Sequence, residues 1–125
     1  MRTLPSHTAI ARRSLVGLAL LPWALRPAAA HHGWSGYDAG AMLRLTGPVR
    51  DIVFANPHCM ARVEAEGKVW ECVLAPLSRM TARGLPEGSI RVGDTVTVEG
   101  YPHRTETDEM RAERITVAGN TVELR

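Results

Sequence analysis

The chain has 125 residues, 15 Lys and Arg against 13 Asp and Glu, a formal net charge of +2, and 45% hydrophobic residues. That length holds one small domain. It contains no apolar stretch of about 20 residues of the kind needed to span a membrane.

The first thirty residues have a layout of their own. Arg12 and Arg13 precede an apolar run from Leu15 to Leu25, which Pro22 interrupts, and Arg26, Pro27 and three alanines come next. A basic start, an apolar run of about a dozen residues and a small-residue end are the parts of a secretory signal peptide. Residues 1–30 are therefore predicted to be a signal peptide cleaved after Ala30, with cuts after Ala28 or Ala29 as rivals. Arg12-Arg13 with Leu15-Val16 resembles a twin-arginine signal, and ordinary export fits equally well. The predicted compartment is the periplasm. This segment holds four arginines (Arg2, Arg12, Arg13, Arg26) and no acid, so residues 31–125 carry eleven basic and thirteen acidic side chains. The basicity belongs to the leader, and residues 31–125 show no patch for nucleic acid.

Residues 31–41 form a short N-terminal segment, and 42–125 are predicted to form the domain. Met42–Phe54 is a strand that Gly47-Pro48 should bend or bulge. Ala55-Asn56-Pro57 is a turn. Residues 59–65 and 68–74 alternate around Glu66-Gly67 and predict a hairpin. With those two loop residues, Val63 faces Trp70, Ala61 faces Cys72 and Cys59 faces Leu74. That face is apolar and should point inward, while His58, Met60, Arg62, Glu64, Val69, Glu71 and Val73 point outward. Pro76 to Gly84 is a short helix. Thr95–Gly100, Met110–Val117 and Thr121–Leu124 are further strands. The pattern predicts an all-β fold, a small five-stranded OB-like barrel with one short helix between strands 3 and 4. A small open sandwich is the alternative.

Cys59 and Cys72 fall on the same inward face, one diagonal step apart. A diagonal pair is too far apart for an unstrained disulfide, and a register shift would bring the two opposite each other. An oxidising compartment favours the bridge, and two buried thiols are the alternative.

The histidines are the candidate metal ligands. Cleavage after Ala30 gives His31 a free amine beside its imidazole, a chelating pair that suits Cu(II). His32 and His58 offer further imidazoles, and Met60, on the face of His58, offers a thioether suited to Cu(I). The bland alternative is a soluble terminus and a turn histidine. His103 is expected to be a solvated loop residue, and Glu106, Asp108 and Glu109 a solvated acidic loop. No nucleophile motif, phosphate loop or carboxylate pair stands out, so no catalytic residue is assigned and an enzyme is not expected. A second reading is an OB-type binding module for a small molecule, a peptide or an envelope partner, using exposed faces around Trp34, Tyr37 and Tyr101.

The stretches AHHGWSGYD, GPVRDIVFANPHCMARVE, VWECVLAPLSRMTARGL and VGDTVTVEGYP together resemble the DUF6152 family of small exported bacterial proteins of unknown function. His31-His32 and Asn56-Pro57-His58 are the most specific matches, and Cys59, Met60 and Cys72 depart from the pattern. The resemblance implies the fold and the compartment and leaves the function open.

Overall fold

A computed structural model describes residues 33–125. The signal peptide predicted for 1–30, and His31 and His32, lie outside the described residues. A 3-10 turn at Trp34–Gly36 leads into β1 (Leu43–Val53), β2 (Met60–Ala65), β3 (Lys68–Val73), helix α1 (Leu77–Ala82), β4 (Thr95–Pro102), β5 (Glu109–Val117) and β6 (Asn120–Glu123).

β1 to β5 form a closed barrel with one short helix, as predicted. Neighbouring strands run antiparallel except where β3 meets β5 in parallel, and that junction shuts the barrel. A closed sheet has no exposed edge inside the ring. β6 is an extra strand that folds back on β5 outside the ring.

β1 serves two partners. Its first half, Leu43–Pro48, pairs with β4, and from Val49 onward it pairs with β2. Pro48 has no N–H to give a ladder, and it stands where one partner hands over to the other. A bulge between Val49 and Asp51 completes the bend expected near Gly47-Pro48. Gly47 is required there for a packing reason. A Cβ on it would lie 1.8 Å from the Glu64 carbonyl oxygen.

The β2–β3 hairpin has the predicted register, with Val63 opposite Trp70 and Ala61 opposite Cys72. Glu66 and Gly67 both take positive φ, 54° and 75°, as a type I′ turn demands. Cys59 continues the pairing as a bulge, donating its N–H to Ala75 O (2.8 Å) and accepting from Leu74 N (2.9 Å). The inward face is sealed: Val63, Ala61, Cys59, Cys72 and Leu74 are fully buried with Val49, Val98 and Ile115. Met80 of α1, Leu85 and Ile90 join this core.

The outer face of β1, β4, β5 and β6 is an ion ladder. Arg44 pairs with Glu99 (3.0 Å), and Arg114 pairs with Glu99 (4.0 Å) and Glu123 (2.9 Å). Opposite charges directly across strands stabilise each pairing modestly and leave this face without a single-sign field. Chemistry that can meet a ligand gathers instead on the outer face of β2, β3 and the start of β5.

Gly47→Ala is expected to destabilise the domain by about 3 kcal/mol or more, because the added methyl meets backbone. A urea midpoint that moves by less than half of that loss would contradict the close β1–β2 crossing.

Candidate functional site

The turn after β1 sets one wall of the site. Asn56 and Pro57 are joined by a cis peptide bond. The Asn56 side-chain oxygen accepts the N–H of Leu77 (3.2 Å) and so satisfies a donor in the first turn of α1. With this turn tied to the helix, the next residues, Pro57 and His58, are held at the entrance to β2.

A strap of residues 33–38 sets the other wall. The Trp34 carbonyl accepts from Tyr37 N (3.2 Å) and closes the 3-10 turn. Gly36 O accepts from Arg104 N (2.8 Å), and Asp38 N donates to Pro102 O (2.9 Å). Tyr37 forms a single bridge to His103. Its phenol turns under the strap and donates to Glu109 Oε1 at 2.5 Å. Tyr37 is only 4% exposed. The expected exposed aromatic is thus a buried one, because its hydroxyl finds a carboxylate inside. Burial first, and then the Glu109 carboxylate as hydrogen-bond partner and as charge, hold the phenol well above its ordinary value of 10.

Between the two walls lies a pocket of about 300 Å³. Met60, Glu71 and Val73 form its floor on the outer face of β2 and β3, with Pro57 and His58 on one side and Tyr37 and Glu109 on the other. Among the described residues, no lysine or arginine lines it.

Of the predicted ligands, His58 and Met60 meet in this pocket. Cys59 and Cys72, the candidates for a disulfide, point into the barrel instead. They are free thiols in the structure, fully buried and one diagonal step apart. Burial pushes the Cys72 thiol up to about 12 and raises that of Cys59, which makes both poor nucleophiles near neutral pH.

Two sequence-based expectations are corrected. Glu109 is not part of a solvated loop. It opens β5, is 8% exposed, and lies in register with Glu71 across the parallel β3–β5 junction. A carboxylate pair therefore exists, made by strands 38 residues apart in sequence. His103 is not simply solvated either. Its ring stands edge-on to Tyr37 with centroids 5.0 Å apart. Its Nδ1 accepts from the N–H groups of Thr105 (3.2 Å) and Glu106 (3.0 Å), which fixes the proton on Nε2 and commits the ring to capping its own loop. Sequence reasoning missed Glu71 and Glu109 as pocket residues, and it placed Tyr37 on an exposed binding face rather than buried at the pocket wall. The one available signal was Glu109 preceding the alternating strand 110–117.

Trp34 stands behind His58, outside the pocket lining. The Arg111 guanidinium lies 3.5 Å from its ring centroid and that of Arg125 4.6 Å. Its ring meets His58 edge-on, with centroids 5.8 Å apart. The Arg111 Nε and the Arg125 Nε and Nη1 are buried without a hydrogen-bond partner among the described residues, so the indole face is their main compensation. Burial, and then the nearby Arg111 charge, lowers Arg125 to about 10.

Among the described residues, no three His, Cys, Asp or Glu side chains converge closely enough to hold a metal ion by themselves. No described helix is long and apolar enough to cross a membrane.

A model of a family of unknown function, DUF6152, matches residues 20–111. No curated protein matches the chain. Among solved structures, the chain is similar to TiaS in complex with a tRNA and ATP (20% identity, TM-score 0.48, 67% of this chain and 18% of that one). It is also similar to a ZRD-deleted TiaS mutant in complex with agmatine (21% identity, TM-score 0.47, 67% of this chain and 24% of that one). This chain spans less than a quarter of the length of either.

Tyr37→Phe is expected to cost about 1–3 kcal/mol by leaving the Glu109 carboxylate buried without its donor. The raised phenol pKa adds a pH signature. Above about pH 10 the unfolded chain loses this proton while the folded chain keeps it, so the contribution of Tyr37 to stability falls as pH rises. Urea midpoints between about pH 9 and 11 should therefore fall more steeply in the parent than in Tyr37→Phe. A separate check concerns the cysteines. Thiol titration in denaturant without reductant should find two reactive groups, and the folded protein should protect both.

Proposed function

The chain belongs to the DUF6152 family, and we propose that it is an exported, periplasmic metal-binding protein that holds copper at the pocket between the strap and the β1–β2 turn. In this reading residues 1–30 are removed on export, and the new terminus at His31 supplies an amine and an imidazole. His32 and His58 supply further imidazoles, and Met60 supplies a thioether for the reduced ion.

One observation supports this most. The Trp34 ring meets the pocket residue His58 edge-on, and the described chain begins one residue before Trp34. His31 and His32 immediately precede it, and two residues of extended chain reach about 7 Å. The donor chemistry also fits. The pocket joins an imidazole and a thioether with two carboxylates, and no lysine or arginine is among its described lining residues, which suits a cation. The described donors need completion, and residues 31 and 32 are the nearest source along the chain.

A second reading has its own support. About 300 Å³ exceeds what a bare ion fills, and Pro57, Val73, Met60 and the Tyr37 ring give the pocket an apolar side. It could take a small molecule, or a side chain of a peptide or envelope partner, without metal.

Copper titration of protein beginning at His31 separates the two. The expected result is one Cu(II) per chain. An added N-terminal residue or His31→Ala should weaken binding by about a hundredfold, and His58→Ala by about tenfold. Affinity unchanged by all three overturns the copper site. Ligand capture that is indifferent to chelator would support the second reading.

A further inference from the structure

We propose that the pocket on the outer face of β2 and β3 binds a small organic cation, a primary ammonium carried on an apolar body, with Glu109 and Glu71 as its acceptors. This deepens the metal-free reading above and rests on it.

Closure of the barrel brings the two carboxylates together. Glu71 and Glu109 are in register across the parallel β3–β5 junction, where neighbouring strands lie about 5 Å apart. Both line the pocket. Glu71 is exposed, whereas Glu109 is only 8% exposed. Glu109 gives Oε1 to the Tyr37 hydroxyl, and its Oε2 has no donor among the described residues. A buried carboxylate with an oxygen to spare is a strong acceptor for a ligand that brings its own N–H groups. Two like charges held this close repel, and a cation between them relieves both.

The protein's nearby cations are committed elsewhere. Arg111 follows Glu109 by two residues on β5, yet its guanidinium lies against Trp34 and pairs with Glu113 (3.6 Å). Arg125 lies against the same indole and donates to Val73 O (3.4 Å). Lys68 donates its ammonium to Thr107 O and stands over the Trp70 ring. None of the three lines the pocket.

The rest of the lining selects the body of the ligand. Pro57, Met60, Val73 and the Tyr37 ring make one side apolar. The volume of about 300 Å³ has room for about ten waters and lies at the small end of ligand pockets. An inorganic cation leaves most of that space, and the apolar side, to water. An ammonium on a body the size of a phenyl ring fills the space, buries apolar surface and sets three donors against Glu109 and Glu71. The two carboxylates repel an anion of the same shape, and a neutral ligand leaves them uncompensated.

The test uses the full chain with chelator present and three probes of one shape: benzylamine, benzyl alcohol and benzoate. Binding is read from the backbone amide NMR shifts of Met60, Glu71 and Val73. Benzylamine should shift them saturably, benzyl alcohol should bind about tenfold more weakly or worse, and benzoate should leave them in place. Glu109→Gln keeps an oxygen for the Tyr37 hydroxyl and removes the charge. It should weaken benzylamine about tenfold or more, because a buried charge pair carries a large effect. Glu71→Gln removes an exposed charge and should weaken it about threefold, and this variant carries the test should Glu109→Gln fail to fold. Equal affinity for benzylamine and benzyl alcohol, or a benzylamine affinity indifferent to the folded variants, overturns the ammonium assignment and leaves the metal-free pocket standing. Pocket resonances that none of the three probes moves overturn the metal-free reading and this inference with it.

Discussion

The parallel contact between β3 and β5 is the constraint on which the rest of the structure depends. Without it the strands would form an open, curled sheet. With it the barrel shuts, and residues far apart in sequence acquire fixed neighbours. Glu71 comes to lie beside Glu109, and Val73 beside Arg111. The first pair makes the acidic side of the pocket. The second places an arginine where the strap can lay an indole on it.

The strap depends on that junction in turn. Tyr37 can be buried because Glu109 accepts a hydrogen bond from its hydroxyl, and Glu109 can be buried because Tyr37 donates to it. Neither would be cheap alone, since a buried polar group without a partner carries its full desolvation cost. This mutual requirement attaches a segment that precedes the first strand. It also leaves His58 and Met60 facing a walled pocket rather than a bare sheet face.

Function on this fold is a matter of sites rather than of the barrel. The inward face of the β2–β3 hairpin is committed to core, and the cysteines on it are screened from reagents and ligands. The outer face of β1, β4, β5 and β6 is occupied by cross-strand ion pairs. The remaining outer face carries an imidazole, a thioether, two carboxylates and a phenol within one pocket, which is where chemistry has room.

Local periodicity determined a great deal. The alternation in 59–74 and the Glu66-Gly67 turn were enough to place Val63 on Trp70 and Ala61 on Cys72, because strand parity and a two-residue turn leave no other register with an apolar interior. Gly47-Pro48 announced the bend in β1, and Pro76 the helix. His58 and Met60 could be set on one face by counting. Tertiary structure alone decided the rest. Glu109 looks like a loop acid until β3 lies beside it, and Tyr37 looks exposed until Glu109 is beneath it. His103 looks solvated until its ring is found capping its own loop against Tyr37. In each case the deciding partner is more than thirty residues away, or depends on one that is. Periodicity reports which face a side chain takes, and only closure of the barrel reports what waits on that face.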